Sequence, residues 1–211
     1  ATEFMSMFDL EGFLKVLKEN SLNDVHLLEI YHKMYLTLDE SAAFEDYLNF
    51  RNSFFNNKDS LGKNEQYIIT TLMVNVLFYK HLKDRTKYDK ELFEAFKILI
   101  SLYEYSGDKY LRAVVYSSVL RLAIQFREFE WTEKYIEEFS KKLEPDHREN
   151  MFYYSNAYLS FAKGQFEKCL EHAAKVNFNT FQMKYYLRDL QLCAHYELSH
   201  FESALSMIDA Y

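Results

Sequence analysis

Hydrophobic residues in this chain recur at steps of three and four from one end to the other, the period of a helix with one buried flank. An opening segment, Phe8 to Glu19, carries it, and Asn23 and Asp24 then stand as N-caps for a helix through Val25, Leu28, Tyr31, His32 and Tyr35. Asp39 is expected to start a second helix with the apolar face Ala43, Phe44, Tyr47, Leu48, Phe54 and Phe55. After a polar break over 56–63, Asn64 is the expected cap of a helix from Glu65 to about Lys83. That helix is apolar on nearly every side, which predicts a central, buried position. Asp89 is expected to open the next helix, through Leu92, Phe96, Leu99 and Tyr103. In Ser106-Gly107-Asp108 the glycine suits a left-handed helix end, and the aspartate is expected to cap a helix from roughly Tyr110 to Phe126. Beyond Trp131 the pairs shorten; Pro145-Asp146 closes one of them, and Asp146 with Glu149 has capping-box spacing. No linker or shift of composition divides 1–211, so the pattern predicts one continuous domain of about ten or eleven helices.

Composition sharpens this. With 4 Gly and 1 Pro the chain lacks the turn residues that sheets and hairpins use, which leaves helices and short connections. Aromatic residues reach 18%, suiting wide gaps between obliquely packed helices. The net charge of −7, with no basic run, disfavours a nucleic-acid partner. Tyr67 to Tyr79, the most apolar stretch, falls short of the ~20 residues that span a bilayer and is interrupted by Thr70, Thr71 and Asn75. Ala1 to Leu10 has no basic flank and carries Glu3 and Asp9, unlike a secretory leader, and two cysteines on helices do not form a disulfide framework. A cytoplasmic protein without membrane insertion is expected.

After residue 150 the chain echoes itself. Ala157-x6-Gly164-x-Phe166-x-x-Cys169-Leu170 returns as Ser199-x-Phe201-x-x-Ala204-Leu205, with Cys169 and Ala204 35 residues apart. Stepping back 34 residues from Cys169 reaches Tyr135. Period and pattern resemble the tetratricopeptide (TPR) repeat, a helix pair in which small residues sit where the two helices touch. The resemblance is clearest over 108–211. It implies an all-α, right-handed superhelical stack of antiparallel helix pairs, a TPR-like α-solenoid. On it, Ala123 and Ala157 take the small position of the first helix, Cys169 and Ala204 that of the second, and Phe166 and Phe201 the aromatic position. Tyr135 and Leu192 depart from it. Residues 5–105 read as longer, irregular pairs of ~40 residues, as in HEAT-type arrays, and 106–211 as the TPR-like pairs. The pattern stops at Tyr211 inside a second helix, which reads as a piece of a longer chain or as an end that docks on a neighbour, including self-association.

Repeat stacks bind along the concave face formed by their first helices. The resemblance puts Arg121 and Ile124, then Tyr154 and Tyr158, then Tyr186, Asp189 and Cys193 on that face. Tyrosine offers a flat apolar body and a hydroxyl at low rotamer cost. Asn156, Lys184 and Arg188 fall off the positions of a carboxylate clamp, so that variant of the groove is not expected. The reading is a non-catalytic scaffold binding a protein or peptide, without cofactor.

Two alternatives compete. Glu29-x-x-His32 and Glu197-x-x-His200 each put a carboxylate and an imidazole on one helix face, the element from which di-iron bundles are built. Cys169 and His172 lack a Cys-x-x-Cys partner, and the sibling repeat holds alanine at the cysteine position, so a packing role is expected of Cys169. The other alternative is a structural helical spacer of a larger protein. Too few glycines remain for a phosphate loop or nucleophile elbow.

Overall fold

The computed structural model describes residues 25–38, 42–177 and 181–209. Among these residues the fold is all-α, with ten helices packed in neighbouring pairs and no strand. The Phe8–Glu19 segment, the caps Asn23 and Asp24, and Asp39 lie outside the described residues. The chain divides into two compact units, Ala1–Gly107 and Asp108–Tyr211.

In the first unit α1 (Val25–Leu36) packs on α2 (Phe44–Asn57), and α3 (Lys63–Lys83) on α4 (Arg85–Ser101). Carboxylates start α2, α3 and α4. The Ala43 amide donates to Asp46 Oδ2 (2.7 Å) and the Gly62 amide to Glu65 Oε2 (2.8 Å), each acid reaching back from the third helical position. Asn64 is therefore not the cap expected of it: α3 begins at Lys63, two residues earlier than expected, behind Gly62. Asp89 does not open α4 either. Asp84, the single residue between α3 and α4, accepts from the Lys87 amide (3.3 Å), while Asp89 is buried and its Oδ1 meets His81 Nδ1 at 2.6 Å. An aspartate near a helix start is ambiguous in sequence, and here the buried imidazole of α3 decides between a cap and an interior partner.

α3 also departs from the expectation of burial all round. It buries Ile69, Met73, Val76 and Leu77 together with Gln66 and Thr70, and leaves Ile68, Phe78, Tyr79 and Leu82 exposed. The buried polar groups are satisfied locally, which removes their desolvation penalty. Gln66 Nε2 donates to the carbonyls of Lys58 and Leu61 (3.0 Å each), and Thr70 Oγ1 to that of Gln66 (2.7 Å).

The second unit runs α5 (Ala113–Gln125), α6 (Phe129–Phe139), α7 (Pro145–Ala162), α8 (Phe166–Ala173), α9 (Phe181–Glu197) and α10 (Phe201–Asp209). Consecutive helices pack together; α5 also touches α7, and α7 touches α9, so first helices of successive pairs meet. One turn closes each pair. Arg127, Gly164 and Ser199 all have positive φ (58°, 72° and 58°). In each case the next amide bonds five residues back: Glu128 to Ala123 (3.0 Å), Gln165 to Ser160 (2.9 Å) and His200 to His195 (2.9 Å). This is the Schellman helix ending, formed three times.

The turns correct the repeat register. From Gly164 to Ser199 is 35 residues, but from Arg127 to Gly164 is 37. Phe129-Glu130-x-Thr132 is thus the counterpart of Phe166-Glu167-x-Cys169 and Phe201-Glu202-x-Ala204, each opening a second helix. Thr132, fully buried, holds the small position that a 34-residue step assigns to Tyr135, and Leu120 rather than Ala123 stands opposite Ala157. Tyr135 is one helical turn further on. It stacks between Tyr116, Trp131 and Phe139 (centroids 5.1, 5.1 and 5.2 Å) and donates its hydroxyl to the Tyr116 carbonyl (3.2 Å).

Two further caps differ from expectation. α5 starts behind Arg112 with no side-chain cap, so Asp108 belongs to the connection before it. α7 starts with Pro145 in its first turn behind Glu144, leaving Asp146 inside the helix rather than at its cap. Proline is favoured there because an amide at that position has no intrahelical acceptor.

Candidate functional site

Helices α7 and α9 bring four of the sequence-predicted groove residues together. Tyr154 and Tyr158, one turn apart on α7, have ring centroids 4.7 Å apart, and the Tyr158 hydroxyl donates to the Tyr186 carbonyl on α9 (3.2 Å). Burial, followed by the hydroxyl contact with Tyr154 and then the Asp189 carboxylate, holds the Tyr158 phenol well above its ordinary range. Burial raises Tyr154 as well. Both stay protonated at neutral pH and act as hydrogen-bonding groups rather than charges. They are half-buried and pack on a core of Ala157, Cys169, Ala173, Leu187, Leu190 and Ala194, whereas the Tyr186 ring is exposed. Their bodies therefore belong partly to the core while part of each remains available at the surface.

Arg121 and Ile124 lie on α5. Arg121 is exposed, with Nη1 3.3 Å from Gln125 Oε1 on its own helix, and Ile124 is half-buried. Between α5 and α7 the bonded groups are Tyr116 and Ser155, hydroxyl to Oγ 3.0 Å apart. Ser155 in turn donates to the Met151 carbonyl (2.6 Å). Burial pushes the Tyr116 phenol up to about 12.

The two cysteines part company. Cys169 is fully buried, and burial, followed by the nearby Cys193, pushes its thiol up to about 11. Cys193 is exposed and faces an apolar groove of about 540 Å³ between α9 and α10. Tyr196, Phe201, Leu205 and Ile208 line that groove with large exposed surfaces. Phe201 and Leu205 already stand out in the sequence as repeat positions; what singles them out here is that they are exposed while their counterparts Phe166 and Leu170 pack on the core.

The two Glu-x-x-His pairs lie in different units. Glu29 pairs with Lys33 on α1 (2.8 Å) and His32 is half-buried, both in the first unit. Glu197 ends α9 and lines the apolar groove, and His200 sits in the turn before α10 beside His195, with rings 5.7 Å apart. Among the described residues no group of three or more His, Cys, Asp or Glu is placed to hold a metal ion. No helix among them is long and apolar enough to cross a membrane.

Comparison with protein-family models, with curated proteins and with solved structures finds no match to this chain. The helical-repeat likeness therefore stands on the internal echo and on the three matching turns.

Proposed function

We propose that this chain is a non-catalytic helical-repeat scaffold of the TPR-like α-solenoid kind, which binds a protein or peptide along its first helices. The observation that carries the reading is the cluster of Tyr154, Tyr158, Tyr186 and Asp189 across α7 and α9. Rigid aromatic bodies with hydroxyls, beside a carboxylate, provide contact area at small entropic cost. Arg121, which the 37-residue step sets against Tyr158, extends the same face onto α5, with Ile124 one turn further along. The chain's net charge of −7 favours basic or neutral partners. The proposal includes a right-handed superhelical course, a single array over 1–211 and a cytoplasmic setting.

The test is selection from a phage-displayed random peptide library on the immobilised protein. Enriched peptides should bind the wild type and lose about tenfold or more in affinity to Tyr186→Ala and Asp189→Ala. Lys141→Ala, an exposed change in the short turn after α6, should leave them unaffected. Tyr158→Phe removes the hydroxyl without opening a cavity and separates recognition from packing. Peptides indifferent to all of these groove substitutions would refute the assignment.

A further inference from the structure

Asn150, Tyr154 and Tyr158 stand at successive turns of α7, on one stripe of the helix. The two outer members both bond main chain beyond α8. The Asn150 side chain meets the Asn177 peptide group with donor and acceptor at once: Nδ2 donates to the Asn177 carbonyl (3.0 Å), and the Asn177 amide donates to Oδ1 (2.7 Å). Tyr158, two turns on, donates to the Tyr186 carbonyl (3.2 Å). One stripe thus holds the chain at 177 and again at 186, with Tyr154 between the two holds. The four steps from Asn177 to Phe181, where α9 begins, reach no further than ~14 Å however the chain runs. Fixing Asn177 therefore limits where α9 can set down Tyr186 and Asp189.

Two lesser contacts draw the exit of α8 to the same place. Val176 packs on the core, and Lys175 Nζ lies 5.1 Å from the centroid of the Tyr153 ring on α7. Apolar packing and a cation over a ring both tolerate sliding, whereas a paired donor and acceptor admit one alignment. The preceding helix pair closes in the same way with main chain alone. There the Leu111 amide, ahead of α5, donates to the Lys142 carbonyl (2.8 Å), and Lys142 lies 35 positions before Asn177. The α7–α8 pair opens instead on Pro145, which has no amide to give, and the Asn150 side chain supplies the donor. We propose that Asn150 is the positioning residue of the tyrosine groove: its clasp on Asn177 sets the register at which α9 lays Tyr186 and Asp189 against Tyr154 and Tyr158. This role rests on the groove reading above and adds what keeps the two sides of the groove in step.

The probes are library peptides selected on the wild-type protein that Tyr186→Ala and Asp189→Ala weaken. Asn150→Ala should raise their dissociation constants about tenfold without changing the circular dichroism. Asn150→Asp keeps the acceptor for the Asn177 amide and loses the donor, and should fall between. Asn156→Ala removes a comparable bond within α7, from Nδ2 to the Phe152 carbonyl (2.9 Å), and should leave affinity unchanged. A second measurement needs no peptide. Tyr158→Phe should lower the urea midpoint of the wild type, and by roughly half as much or less in the Asn150→Ala background, because the Tyr186 carbonyl is no longer held within reach of the hydroxyl. Affinity untouched by Asn150→Ala, in peptides that Tyr186→Ala does weaken, overturns the proposal and leaves the groove standing. Midpoint shifts that simply add overturn it too, since Asn150 is then a local staple, as does an equal loss of affinity in Asn156→Ala. Selected peptides that are all indifferent to Tyr186 and Asp189 overturn the groove reading and this role with it.

Discussion

Three helices of the first unit, α2 to α4, begin under carboxylates, whereas helix pairs of the second unit are closed by left-handed turns. In the first, Asp46, Glu65 and Asp84 each meet a backbone amide at a helix start, and the interior holds the His81–Asp89 pair and the Lys80 ammonium, which donates to the Ala42 carbonyl (3.0 Å). In the second, Arg127, Gly164 and Ser199 form one turn three times, and the interior is stacked neutral rings around Tyr135. The contrast teaches where a repeat can hide. A side-chain cap works from several positions and leaves no fixed spacing, while a backbone turn recurs at one position and sets a period.

The largest effect expected of this contrast concerns the buried His81–Asp89 contact. Asp89→Ala leaves the His81 imidazole without its buried partner and should cost about 3–5 kcal/mol, read by urea denaturation. Replacing both residues with leucine should recover much of the loss, because the pair must offset its own desolvation. If the single and double variants are equally unstable, the pair is not what holds α3 to α4.

Alkali tests the buried phenol in the core of the second unit. Tyr116 titrates near 10 when unfolded and near 12 when folded, because burial disfavours the phenolate. Its contribution is fully present below about pH 10 and is lost as pH rises through about 12, since only the unfolded chain then releases the proton. The loss is about 2–3 kcal/mol. Fluorescence of Trp131, which stacks on Tyr135 in this core, should report it, and Tyr116→Phe should flatten the fall. An unchanged alkaline limb in that variant would assign the effect to other groups.

How much of this was legible in the sequence follows from the same contrast. The all-α class and helix pairing come from three- and four-residue periodicity, which helices cannot avoid displaying. The pairs 157–173 and 192–208 were readable because Gly164 and Ser199 lie one period apart. The preceding pair was misregistered because an arginine at positive φ gives no turn signal, and a step of 37 sends the count to Tyr135 instead of Thr132. Phe-Glu-x-small, present three times, was the better marker. Asp89 and Asn64 misled because capping residues are recognised by type, and type does not say which way a side chain points. Of the groove, the sequence could nominate Tyr154, Tyr158, Tyr186 and Asp189 by register. It could not tell that the α7 tyrosines share their surface with the core, nor that the α9–α10 walls stand open, because both depend on which helices lie alongside.

The smallest expected effects bear most directly on whether the three turns are one device. At Gly164 an added Cβ meets nothing within 4 Å, so Gly164→Ala isolates the cost of a left-handed residue, about 1–2 kcal/mol. Arg127 and Ser199 already bear that cost. Glycine there relieves it but frees the unfolded chain, which takes back about 0.4–1 kcal/mol. The balance favours the folded state, so Ser199→Gly and Arg127→Gly should each stabilise by roughly 0.5–1 kcal/mol, measured as a higher urea midpoint at unchanged slope. Serine is the sharper test, because Arg127 also carries a long side chain whose removal changes surface charge. A gain at Ser199 beside a loss at Gly164 makes the turns interchangeable in kind. A loss at both would mean that Ser199 holds its turn through its side chain, and that the last pair resembles the others in shape but not in cause.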